Sequence, residues 1–182
     1  MTNIRQVSER NLDAFRRLYN RLTGRDESPN VVRGWYDIHP KLLVGAFADG
    51  ELVGFALGIY DHEGVHLKGI GVREEHRREG IGSALLSRVE EAAGERDADR
   101  ISLGSAGGYV DKFYLANGYQ PESVLLRFDA DDAPESPESF EYDILRERVE
   151  DGVTKWYVGV EFHDHDFLQE VREAFDDQEA IY

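Results

Sequence analysis

The chain contains no cysteine, which excludes a disulfide scaffold, a thiolate metal centre and a cysteine nucleophile. No apolar run approaches the roughly 20 residues that a membrane-spanning helix needs, and the opening Met1-Thr2-Asn3-Ile4 carries no signal-peptide core. A soluble, cytoplasmic protein is therefore expected. Basic charge is scarce too: 17 Arg and 4 Lys face 37 Asp plus Glu, for a net charge of −16. A uniformly negative surface repels DNA, RNA and anionic lipid, so neither nucleic acid nor a membrane is expected as a partner. The acidic residues are spread along the whole chain, as in a halophilic protein whose carboxylate-rich surface stays hydrated while salt screens its self-repulsion. Attraction of a cationic substrate is the alternative reading. What is present suffices for a core: 182 residues, 41% of them hydrophobic, predict one domain, or one domain with an appendage.

Periodicity orders the elements. Residues 4–7 read as a strand, and Leu12, Phe15, Leu18, Tyr19 and Leu22 repeat at helical spacing. Ser28-Pro29 supplies an N-cap and a first-turn proline for a helix to about Ile38. Strands 41–48 and 51–60 flank Asp49-Gly50, a two-residue hairpin turn, and a third strand covers 65–72. Ile81, Leu85, Val89 and Ala93 mark an amphipathic helix. A strand at 100–104, a short helix at 109–116 stopped by Asn117-Gly118, and a strand at 119–128 follow. The segment 129–139 is acidic and proline-bearing, a linker. Residues 140–182 read as a ββα appendage with an Asp151-Gly152 turn, too small to be stable alone and expected to pack on the main domain or on a second copy as a homodimer. The expected fold is mixed α/β, a mostly antiparallel sheet with helices on both faces.

Chemistry concentrates in residues 64–83, GVHLKGIGVREEHRREGIGS. Gly69 and Gly71 stand inside a strand, where glycine marks a bulge or a close approach. Arg73, His76, Arg77 and Arg78 form the densest basic island in the chain, and Arg77-Arg78-Glu79-Gly80-Ile81-Gly82 opens into a helix. Free amides, bare glycines and the positive end of the helix dipole together make an anion site suited to a pyrophosphate. A P-loop needs a Gly-Lys-Ser/Thr that is missing, and the dinucleotide fingerprint lacks its third glycine.

Arg77-x-x-Gly80-x-Gly82 resembles the acyl-CoA signature of the GNAT superfamily of N-acetyltransferases. Phe113-Tyr114-Leu115-Ala116-Asn117-Gly118-Tyr119 is similar to that family's second conserved segment, and the resemblance covers roughly residues 3–128. It implies acetyl-CoA as co-substrate, no metal, and transfer of the acetyl group by direct attack of a primary amine, on a peptide or on a small molecule. By the same resemblance, the backbone of Ile70, Gly71 and Val72 pairs with the pantetheine arm. The amides of Arg77, Arg78, Glu79, Gly80, Ile81, Gly82 and Ser83 hold the pyrophosphate, with Arg77 and Arg78 adding charge. A backbone N–H near Ile70 is the oxyanion contact, and Tyr114 donates a proton to the departing thiolate.

For the base, His66 lies eleven residues before Arg77, close to where histone-modifying relatives carry a glutamate, and its ordinary pKa suits proton transfer near neutrality. Strict alternation puts His66 on the face opposite Gly69 and Gly71 unless a bulge intervenes. Glu63 and Asp61 are further candidates. Gly107 stands where many relatives carry a cofactor-contacting asparagine, which puts that contact in doubt. His163-Asp164-His165-Asp166 offers two histidines at chelating spacing but no third ligand. A non-catalytic acyl-CoA-binding module is the rival reading.

Overall fold

The computed structural model describes residues 2–104, 111–120, 122–132, 143–161 and 179–181. The chain divides into two compact units, Met1–Gly104 and Ser105–Tyr182.

The first unit begins with β1 (Asn3–Gln6), α1 (Leu12–Thr23) and α2 (Pro29–Ile38). The start of α2 follows from local chemistry: Ser28 is extended and its hydroxyl accepts from the Val31 amide at 3.4 Å, while Pro29 occupies the first turn, where no donor is missed. Next come β2 (Leu43–Ala48), β3 (Glu51–Tyr60) and β4 (Val65–Val72), then α3 (Ile81–Gly94) and β5 (Ile101–Leu103). Asp49 and Gly50 both take positive φ (49° and 86°), the geometry of the tight hairpin turn whose twist matches its strands. The five strands form one sheet in the order β1-β2-β3-β4-β5, antiparallel except for the parallel β4–β5 pair that α3 connects.

Each face of this sheet has its own helical layer. Phe15, Leu18 and Tyr19 of α1 and Val32 of α2 close over Leu43, Phe55 and Leu57, all buried. Burial of each such large side chain contributes about 1.5–3 kcal/mol. Leu85, Leu86, Val89, Ala92 and Ala93 of α3 are buried against the other face, built by β2, β3 and β4. The mixed, mostly antiparallel architecture with helices on both faces is the expected one.

The second unit contains α4 (Asp111–Ala116), β6 (Ser123–Asp129), β7 (Asp143–Glu150), β8 (Val153–Glu161) and β9 (Glu179–Ile181). Asp151 and Gly152 repeat the positive-φ pair (52° and 82°) in the β7–β8 hairpin. The four strands form a separate antiparallel sheet in the order β7-β8-β6-β9. Hydrophobic patterning groups β6 with the elements before it, yet β6 pairs along its whole length with β8, from Ser123 opposite Glu161 to Asp129 opposite Lys155. Strand pairing is decided by partners distant in sequence, which alternation alone does not name. The tail helix expected around Phe167–Phe175, the His163–Asp166 run and Gly107 lie outside the described residues.

Candidate active site

Strand β4 is where the sequence pattern and the geometry must be reconciled. Ile59 pairs with His66 and Leu57 with Gly69, so two steps on β3 match three on β4. Lys68 is the extra residue, a β-bulge. Residues opposite one another share a face, so His66, Gly69 and Gly71, opposite Ile59, Leu57 and Phe55, all lie on one side of the sheet. The bulge supplies the condition under which His66 joins the glycines.

That side is the one covered by α1. A Cβ at Gly69 would stand 3.5 Å from the Tyr19 ring, and one at Gly71 would meet Phe55 at 2.9 Å and Leu22 at 3.0 Å. Gly71 is therefore required by helix-to-sheet packing, whereas Gly69 leaves room for a methyl group.

Among the described residues, the other edge of β4 is open beyond Leu67. It pairs with β5 only through Val65, His66 and Leu67, opposite Ile101, Ser102 and Leu103. From Lys68 to Val72, including Ile70, Gly71 and Val72, its one strand partner among the described residues is β3. An unpaired stretch of strand backbone is a template for an extended ligand with alternating donors and acceptors.

The chain then turns directly into an anion cradle. After a single 3-10 turn, Glu74–His76, the backbone takes left-handed conformations at Arg78 (φ 65°) and at Gly80 (φ 79°), the N-cap of α3. A non-glycine residue at positive φ is uncommon, and here it helps aim the loop. Gly80 contributes no side-chain cap, so the first amides of α3, at Ile81, Gly82 and Ser83, are left without the usual partner. Apart from its chain neighbours, nothing described lies within 4 Å of the place a Gly80 Cβ would take, which leaves open space beside the helix start. Arg77 Nε donates to the Val72 carbonyl at 3.1 Å, tying the loop to the end of β4, and Arg77, Arg78 and Glu79 are all exposed. Uncapped amides, positive dipole and nearby guanidinium groups fit a diphosphate, and the open strand edge beside them fits an extended amide-bearing arm.

His66 and Tyr114 are the candidate proton-transfer groups. His66 Nδ1 lies 3.2 Å from Ser102 Oγ on the neighbouring strand. Tyr114, in the second unit, is 9% exposed, and its ring meets those of Phe113 and Tyr119 at 5.1 and 5.9 Å. Burial pushes its phenol above the ordinary value of 10.0, so it keeps its proton well past neutrality. Positive-φ Gly118 ends α4 there, and the Asn117 side-chain amide donates to the Phe113 carbonyl at 2.7 Å. Of the other candidate bases, Asp61 is engaged in the β3–β4 turn, where Oδ1 accepts from the Glu63 and Gly64 amides at 2.9 and 3.0 Å. Glu63 is exposed beside His62.

The first unit thus brings together His66, Ile70, Gly71, Val72 and the run Arg77–Ser83 along one strand and the loop that leaves it. Sequence reasoning missed Ser102. Its only signal is a polar residue between Ile101 and Leu103, and the parallel register that sets it opposite His66 is not encoded locally.

Residues 6–119 match the acetyltransferase (GNAT) family. An uncharacterised N-acetyltransferase of Methanocaldococcus jannaschii is 26% identical over 135 residues, 71% of this chain and 86% of the relative. Among solved structures, AAC(6')-Iy in complex with a CoA bisubstrate analogue superposes with a TM-score of 0.56 at 22% identity, covering 66% of this chain and 91% of that one. The ribosomal-protein-S18-alanine N-acetyltransferase of Escherichia coli gives 0.54 at 15% identity, over 88% of this chain and 94% of its own. With the family's acyl-CoA signature standing at an uncapped helix start beside an open strand edge, the chain belongs to the GNAT family and is an acetyl-CoA-dependent acetyltransferase.

Proposed function

We propose that this enzyme acetylates a primary amine, with His66 as the base, Tyr114 as the proton donor and the β4–α3 segment as the coenzyme cradle. The observation that carries the reading is the bulge at Lys68, which puts His66 on the same side of β4 as Gly69 and Gly71, next to the open edge. Acetyl-CoA supplies an acyl group activated as a thioester. Along the Ile70–Gly71–Val72 stretch, the backbone groups that face away from β3, at Ile70 and Val72, hydrogen-bond its arm, while those of Gly71 face Phe55. The amides of Ile81, Gly82 and Ser83 and the loop from Arg77 through Gly80, with the two guanidinium groups of Arg77 and Arg78, take its phosphates. The N–H near Ile70 donates to the carbonyl oxygen on which negative charge develops. A protonated amine has no lone pair for attack, so His66 takes the acceptor's proton. Tyr114, kept protonated by burial, holds a proton for the departing sulfur.

Among amine classes, a peptide or protein α-amine is the favoured acceptor. In support, the fold of the Escherichia coli S18-alanine enzyme extends over 88% of this chain, against 66% for the aminoglycoside-related structure. The test is free-thiol release from acetyl-CoA across peptides, polyamines, aminoglycosides and amino acids. It is run in molar KCl, since the net charge of −16 suits a halophilic protein. Peptide-dependent thiol release supports the reading. Turnover confined to non-peptide amines overturns the acceptor class, and tight coenzyme binding without thiol release for any amine overturns the catalytic assignments.

A further inference from the structure

The proposed base has a partner that no motif marks. His66 and Ser102 face each other across the parallel β4–β5 pair at the middle of its three rungs, with Nδ1 and Oγ 3.2 Å apart. The other ring nitrogen, Nε2, has no hydrogen-bond partner among the described residues. The strands pair for one more rung, Leu67 with Leu103, and β4 then continues with its edge open. The ring is thus held at the closed end of the gap, one nitrogen engaged and the other unclaimed.

A neutral imidazole carries one proton, and the hydrogen bond made by one nitrogen fixes which it is. We propose that Ser102 is a positioning residue for His66: its Oγ accepts from Nδ1–H, which leaves the lone pair on Nε2. This rests on the reading of His66 as the base. In the opposite arrangement Ser102 would donate to Nδ1, the proton would sit on Nε2, and the ring could not receive one from the acceptor amine there. As Nε2 takes the amine's proton the ring becomes a cation with N–H donors on both sides, and Ser102 Oγ remains a suitable acceptor at Nδ1. No covalent step involves the serine.

Among the described residues, the charged and titratable groups on the elements around this ring are few. On β3 the residue opposite is Ile59, and Arg100 stands just before β5, two residues ahead of Ser102. From α1, Tyr19 stands over Gly69, farther along the strand. On β4 itself, the Lys68 ammonium lies over the Trp35 ring at 5.5 Å, and Asp61 and Glu63 sit in the preceding turn.

The experiment combines a long-range 15N spectrum of the His66 ring with pH–rate profiles of the full chain, using the best acceptor from the amine panel. The wild-type spectrum should report a proton on Nδ1 and a bare Nε2. Ser102→Ala should mix the tautomers and lower kcat about fivefold, the population factor of one hydrogen bond of ordinary net strength. It should also move the acidic limb of the profile about half a pH unit lower, because the cation loses an acceptor, and leave KM for acetyl-CoA unchanged. Ser102→Thr, which keeps the hydroxyl on a residue suited to a strand, should restore both rate and spectrum. A wild-type proton on Nε2, or a Ser102→Ala enzyme with unchanged tautomer and rate, overturns the positioning role alone. His66→Gln that keeps the rate and its acidic limb overturns the base assignment, and with it this inference.

Discussion

Gly82→Asp moves folding and binding in opposite directions, which makes it the sharpest test of the anion cradle. Gly82 is the second residue of α3, half-buried, at a helix start with no side-chain cap. For the empty protein, helix propensity and the helix dipole both favour the change. Aspartate has the better helix propensity by a few tenths of a kcal/mol, and a carboxylate in the first turn gains about 0.3–1 kcal/mol from the helix dipole. A rise of about 2 °C in melting temperature is expected for a chain of this size. For the liganded protein the same charge stands about 5 Å from any phosphate held by the amides of Ile81–Ser83, given the helix rise and normal hydrogen-bond lengths. At an effective dielectric constant near 20, that repulsion is about 3 kcal/mol, on the order of a hundredfold in affinity. Titration calorimetry with coenzyme A and a thermal melt of the same sample read the two signs. Gly82→Asn, similar in shape but uncharged, isolates the steric part and should lose far less. Coenzyme affinity within threefold of wild type at equal salt would refute the placement of the diphosphate, as would a Gly82→Asp protein that melts lower and binds unchanged.

The remaining tests are simpler. Tyr114→Phe should lower kcat by about 10²-fold, the usual scale for losing a general acid, with coenzyme affinity unchanged by calorimetry; an unaltered rate removes Tyr114 from its role. Because burial raises the folded-state pKa of Tyr114, its share of stability is complete below about pH 10 and is lost as pH rises through the folded value, so wild type should destabilise more steeply than Tyr114→Phe in alkaline melts. Gly71→Ala should cost about 1–3 kcal/mol in denaturant unfolding, since its Cβ would press into Phe55 and Leu22, whereas Gly69→Ala should cost under about 0.5 kcal/mol. Equal costs would show that α1 does not pack on β4 as described. At His39, burial first and then the Arg96 charge hold the imidazole below its usual 6.5, and Nδ1 accepts from the Tyr60 amide at 3.4 Å. That contribution is complete above about pH 6.5 and is lost as pH falls through the lower folded value. His39→Gln should flatten the acid side of the stability profile, and an unchanged slope would exclude His39 as its source.

How much of the protein is written in local sequence depends on the range of the forces concerned. Ser28-Pro29 starts α2, Asp49-Gly50 and Asp151-Gly152 close hairpins, and Gly80 opens α3, because each is a matter of backbone conformation within a few residues. For the same reason the acyl-CoA signature was legible as chemistry: glycines, arginines and a helix start in immediate succession make the cradle without help from elsewhere. The tertiary structure alone decided matters of register and partner. The bulge at Lys68 sets His66 beside Gly69 and Gly71, where strict alternation would have put it on the far side, and only the pairing with β3 requires that extra residue. Ser102 meets His66 because α3 returns the chain to lie parallel to β4, and β6 joins the β7–β8 hairpin across the intervening acidic stretch. Short-range torsional preferences fix what each segment becomes, while strand register is chosen by packing and hydrogen bonds between segments far apart in the chain, which no short window of sequence contains.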